Sequence, residues 1–159
     1  MTRKEQYNQL ILQIAGLIKD ETNLVGILAN VSAALHDAFP ERFFWVGFYL
    51  QENGNMLRLG PFQGSVACYV IPFGKGVCGK AWEEERTLIV PDVEKFPGHI
   101  ACSSLSRSEI VVPMYDDSHT FRGVLDIDST HLNDFNEDDK EGLERIIKLL
   151  MAETHDLFQ

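Results

Sequence analysis

Between Phe43 and Asp128 the chain is cut into six short runs, FFWVGFYL, MLRLG, ACYVI, TLIV, EIVVPM and FRGVLDID, set apart by the turn-forming groups ENGN, PFQG, GKG and DDSH. Each run is apolar or alternates apolar with polar, and each is shorter than a stable helix, so the middle of the chain predicts strands. Extended helical spacing is confined to the ends. Leu10, Ile11, Ile14, Leu17 and Ile18 form one stripe; after the capping candidates Thr22 and Asn23, Leu24, Ile27, Leu28, Val31 and Leu35 form a second. A third helix starts at Asn136, with Glu137, Asp138 and Asp139 where the helix dipole favours negative charge, and continues through Leu143, Ile146, Ile147, Leu150 and Met151. Helices gathered at both ends of a run of strands predict an α+β arrangement, a mostly antiparallel or mixed sheet packed against helices. At 159 residues the expectation is one domain over 1–159 around one core.

Acidic residues outnumber basic ones to give a net charge of −10, and no cluster of Lys or Arg interrupts that excess, which argues against nucleic acid as a partner. The opening MTRKEQYNQLILQIAGLIKD carries Gln13, Lys19 and Asp20 among its apolar residues and reads as an amphipathic helix, which argues against a secretory signal or a membrane span. Such a helix can cap its own sheet or a neighbour's, so a homodimer is possible. Three cysteines without C-x-x-C spacing give little support to a structural disulfide framework or a zinc finger. The expectation is a cytoplasmic protein with no metal.

Cys102 stands in FPGHIACSSLSRSEI, a polar loop within a long irregular piece from Asp92 to Ser108. Pro97 and Gly98 mark a turn, serines keep the surroundings polar, and His99, Arg107 and backbone N–H groups are candidates to stabilise a thiolate. In PFGKGVCGKAW, Gly74, Gly76 and Gly79 have dinucleotide-fingerprint spacing, but the element order is not alternating βαβ and rejects that reading. What remains is a glycine turn whose free N–H groups, at the start of a short helix, can receive a carboxylate, and whose helix end would lower the Cys78 thiol pKa. In FFWVGFYL a period of two places Phe43, Trp45, Gly47 and Tyr49 on one face, with Gly47 leaving a gap between aromatics; Phe44, Val46, Phe48 and Leu50 take the other. FRGVLDID places Asp126 and Asp128 on one face, roughly 7 Å apart, where they would attract a cation. Cys68, Cys78, His99 and Cys102 could form a metal site without any spacing that asks for one, and a Cys–His hydrolase would leave two cysteines idle. Redox chemistry can use all three.

Taken together, WVGFYL, LGPFQG, the pair Ala67-Cys68, PFGKGVCG, PDV followed by FPGHIAC, SEIVVP and GVLDIDS resemble the free methionine-(R)-sulfoxide reductases, single-domain GAF proteins, over most of the chain. The resemblance implies a sheet of about six strands with helices on one side. It makes Cys102 the attacking thiol and Cys68 the first candidate to resolve it, with Cys78 as alternative or relay. It also implies that Glu109, Asp126 and Asp128 line the substrate site, that Trp45 and Tyr49 wall in the methyl sulfoxide, and that a neutral carboxyl, Glu109 or one of the aspartates, protonates the departing oxygen. The implied substrate is free methionine sulfoxide. The implied reductant is thioredoxin, acting as an external dithiol, with no bound cofactor. Phe44 and Ser103 depart from the family pattern, which has Asn and Asp there. The competing readings are a GAF sensor that binds a small ligand without turnover, for which the chain has no remaining length for an output domain, and a thiol redox sensor.

Overall fold

The computed structural model describes residues 1–158. Two helices open the chain, α1 (Arg3–Ile18) and α2 (Leu24–Ala38). They are followed by β1 (Trp45–Glu52), β2 (Met56–Gln63), β3 (Val70–Pro72), α3 (Gly76–Glu84), β4 (Leu88–Val90), β5 (Ser108–Tyr115), β6 (Phe121–Ser129) and α4 (Glu137–Thr154). The strands form one antiparallel sheet in the order β3-β2-β1-β6-β5-β4, which puts β1 and β6, far apart in the chain, side by side at the centre. This is the α+β arrangement expected of the element order.

Side chains alternate across the sheet, so each central strand feeds two cores. Val46 and Phe48 from β1, Ile110, Val112 and Met114 from β5, and Leu125 and Ile127 from β6 pack under α1, α2 and α4. Trp45, Tyr49, Val111 and Val124 point the other way, into a second cluster closed by α3 through Val77, Cys78 and Ala81. The helices are therefore not all on one side: the three long ones share a face and the short α3 covers the other. Its apolar residues are too few to cover a sheet alone, and that face is left available for a pocket.

The capping expected at both helical ends is present. Asn23 Oδ1 accepts from Gly26 N at 3.2 Å, and Asn136 Oδ1 accepts from Asp138 N at 2.9 Å. Asp139 does more than face a helix dipole. Its buried carboxylate accepts from Arg3 Nη1 at 2.8 Å, Tyr7 Oη at 2.7 Å and Arg42 Nη2 at 3.0 Å, joining α1, α4 and the segment before β1. The amphipathic α1 thus caps its own chain's α4 and α2.

Two strand expectations are corrected. Of ACYVI only Val70 and Ile71 belong to β3; Ala67, Cys68 and Tyr69 lie in the connection, where the Cys68 carbonyl accepts from Tyr49 Oη and the Tyr69 carbonyl from Leu59 N of β2. In FFWVGFYL the period of two holds from Trp45 onward, where β1 begins, but not before it. Phe43 is fully buried under the helices beside Phe39 and Phe135, and Phe44 packs toward the α3 side.

Candidate active site

The floor of the site is set by strand register. Glu109 on β5 pairs with Asp128 on β6, which pairs in turn with Trp45 on β1; Asp126 lies between Val111 and Gly47 in the next row on the same face. Leu125 and Ile127 point into the helical core, so the FRGVLDID run carries both aspartates to the opposite side, as its period predicts. The roof comes from the first turn of α3, Gly76 to Cys78, and from the connection between β4 and β5, which contributes His99, Ile100, Cys102, Ser103 and Ser106. Tyr49, Ile71, Val66 and Ala67 close the sides. The cavity between them is small, about 40 Å³, room for a few ordered waters.

Cys102 is joined to Cys68 by a disulfide with a Cα–Cα separation of 5.4 Å, drawing two loops 34 residues apart over this cavity. Hydrogen bonds fix the Cys68 loop to β1. Trp45 Nε1 donates to the Ser65 carbonyl at 3.0 Å, and Tyr49 Oη donates to the Cys68 carbonyl at 3.0 Å. The gap expected at Gly47 is occupied: a Cβ there would lie 2.3 Å from Phe62 Cβ and 2.7 Å from the Trp45 ring. Glycine lets the indole lie flat over the strand, stacked between Phe62 at 5.1 Å and Tyr49 at 5.9 Å.

Three carboxyl groups in one pocket cannot all ionise cheaply. Burial, reinforced by Asp128, pushes the Glu109 carboxyl up to about 8. Burial and Glu109 hold Asp126 well above the ordinary carboxylate range, and burial and Asp126 do the same to Asp128. Among the described residues lining the cavity there is no Lys or Arg to offset them. His99 Nε2 stands 3.6 Å from Glu109 Oε1, but burial lowers the imidazole pKa, so near neutral pH it faces the acid largely uncharged. The expectation for Cys78 is overturned. The helix end would lower its pKa, yet complete burial, then Asp126, Glu109 and Asp128, raise it well above a free thiol's. Arg107 is exposed and is not among the lining residues. The sulfur of Cys78 and carboxylate oxygens of Glu109 and Asp126 lie within 4.8 Å of one another, donors that would draw a cation of either kind, metal or ammonium. Of the metal set considered from the sequence, Cys68 and Cys102 are bonded to each other.

Residues 21–151 match the family model described as GAF domain. The chain is 44% identical to the free methionine-R-sulfoxide reductase of Saccharomyces cerevisiae, over 94% of this chain and 86% of that protein. It is 41% identical to the free methionine-R-sulfoxide reductase of Escherichia coli, over 94% and 89%. The crystal structure of the free methionine-R-sulfoxide reductase of Neisseria meningitidis in complex with its substrate superposes with a TM-score of 0.93 at 47% identity, covering 98% of this chain and 92% of that one. The chain belongs to the free methionine-R-sulfoxide reductase family.

In this member of the reductase family, the fold brings Trp45, Tyr49, Cys78, Cys102, Glu109, Asp126 and Asp128 around one cavity and ties Cys68 to its rim. Phe44 packs into the site-side cluster, and Ser103 lines the cavity while its Oγ accepts from Leu105 N at 3.2 Å. The sequence reading missed two supports, Phe62 beneath the indole and the Ser65 carbonyl that receives its N–H. The signal for both was the LGPFQG motif and its continuation, which had no role assigned.

Proposed function

We propose that this protein reduces free methionine-(R)-sulfoxide to methionine with Cys102 as the nucleophile, acting as one GAF domain over residues 1–159. The observation that carries the reading is a disulfide between Cys68 and Cys102 above a protonated Glu109 and two further acids, in a pocket with no Lys or Arg in its lining. The Cys102 thiol attacks the sulfoxide sulfur while a neutral carboxyl, Glu109 by its raised pKa, protonates the oxygen. The sulfoxide sulfur is reduced by two electrons and leaves as the thioether of methionine. Cys102 is oxidised by two electrons and carries the oxygen as a sulfenic acid. The Cys68 thiol then displaces it as water and forms the disulfide, which a thioredoxin-type dithiol reduces. These steps balance with the chain's own thiols and carboxyls, and no bound cofactor enters them. Cys78, buried and held protonated, is a poorer resolving thiol than Cys68.

Selection of the free amino acid follows from charge. The aspartates receive the substrate ammonium, and the N–H groups of the first turn of α3, Gly76 to Cys78, receive its carboxylate. A peptide bond removes both charges and leaves those buried partners unpaired. The space of about 40 Å³ beneath the disulfide is too small for methionine sulfoxide, so the substrate enters the dithiol form, in which the two loops are no longer bonded. The test is to supply dithiothreitol with either free methionine-(R)-sulfoxide or the same residue within a peptide, and to measure methionine formed. Turnover of the free compound should exceed that of the peptide by more than about 100-fold; equal rates would contradict the reading.

A further inference from the structure

The two sulfurs of the disulfide are not equivalent. Cys102 is part of the cavity wall, together with His99, Ser106 and Glu109; Cys68 is not. A thiolate attacks a disulfide along the sulfur–sulfur axis, and Cys102, as part of the wall, borders a space of about 40 Å³ that admits no protein loop. Cys68 is half-buried and outside that wall, so its sulfur is the one a protein thiol can approach without entering the pocket. Outside the cavity wall the side chains flanking the bond are apolar and open: Tyr69 is 76% exposed and Leu105, three residues beyond Cys102, 58%. The two segments that carry the bond are also uncharged. No charged side chain occurs from Leu59 to Gly74 or, His99 apart, from Phe96 to Ser106, in a chain whose net charge is −10. Exposed apolar groups rimming a reactive bond on an otherwise charged protein mark a protein-binding surface.

We propose that a protein dithiol docks on the uncharged collar around Tyr69 and Leu105 and attacks Sγ of Cys68, so that Cys102 is the leaving sulfur. The proposal rests on the disulfide being the product of the reaction proposed above. The reductant's thiolate bonds to Cys68, the Cys68–Cys102 bond breaks, and its electron pair leaves on Cys102, which takes a proton from neutral Glu109 or from water. The second thiol of the reductant then attacks its own sulfur in the mixed disulfide and releases Cys68. Two electrons pass from the dithiol to the chain, and the nucleophile is restored inside the pocket without the reductant entering it.

The experiment mixes the oxidised protein with a thioredoxin-type protein whose second active-site cysteine is replaced by serine, and locates the trapped link by peptide mass. The link is expected on Cys68; a link on Cys102, or no trapped species, overturns the proposal. The double variant Tyr69→Asp/Leu105→Asp, whose side chains lie outside the cavity wall, should slow turnover driven by the intact protein dithiol about tenfold. Turnover driven by dithiothreitol should be unchanged. Equal slowing of both, or of neither, also overturns it. Trapping needs no sulfoxide, so a wild-type protein that makes no methionine with dithiothreitol would defeat the proposed function and leave this readout interpretable.

Discussion

Glu109 faces Asp128 across a strand pair inside a pocket, and that placement keeps its carboxyl protonated up to about pH 8. Glu109→Gln preserves the shape and removes the proton donor, so kcat should fall by about 100-fold. In the wild type, the rate should also fall as pH rises past about 8, where the donor ionises; this alkaline limb should be missing from the variant's pH profile of methionine formation. The same group acts on stability. Its folded-state pKa lies above the ordinary carboxylate value, so between that value and about 8 the unfolded chain ionises first and stability declines as pH rises. The drop in Tm between pH 5 and pH 8 should therefore be smaller in Glu109→Gln. The three acids were legible in the sequence because a strand period of two puts Asp126 and Asp128 on one face, and the family resemblance added Glu109. The state of Cys78 was not: its position at a helix start predicts a lowered pKa, while the acids beside it are contributed by strands 31 and 48 residues further along the chain.

The element on which the site depends most is β1, where Gly47 lets the Trp45 indole lie against the strand between Phe62 and Tyr49. Gly47→Ala would place a methyl group 2.3 Å from Phe62 Cβ and 2.7 Å from the indole, and neither a strand backbone nor a stacked ring yields easily. The expected result is a loss of roughly 1–3 kcal/mol in urea denaturation, together with a raised KM as the aromatic wall shifts. An unchanged denaturation midpoint would mean that the indole is free to move. Periodicity described this strand correctly from Trp45 on and failed at Phe43 and Phe44, since alternation exists only where a partner strand imposes the pleat. ACYVI reads as a strand on composition, yet its Cys68 is fixed by Tyr49 from β1, and Ser65 just before the run by Trp45, ties that local pattern does not carry.

At the scale of the whole molecule, the number and order of elements followed from alternating runs and caps, whereas the strand order did not, because β1 and β6 meet only after some 70 residues of intervening chain. Asp139 illustrates the same limit: its helix-start position was legible, but its pairing with Arg3, Tyr7 and Arg42 joins both ends of the chain. Asp139→Ala would leave two guanidinium groups without their buried partner and should cost about 3–5 kcal/mol in thermal or urea unfolding. Activity per folded molecule should persist, since the junction lies on the helical side of the sheet. The scaffold holds one sulfur over a cluster of three buried acids, and a single turnover tests that arrangement most directly. Fully reduced wild-type protein and Cys102→Ser are each mixed with excess free methionine-(R)-sulfoxide without reductant, and methionine and thiols are counted. The wild type should yield about one methionine per chain, lose two thiols and acquire the Cys68–Cys102 link, while the variant yields none; methionine formed by Cys102→Ser would contradict the account.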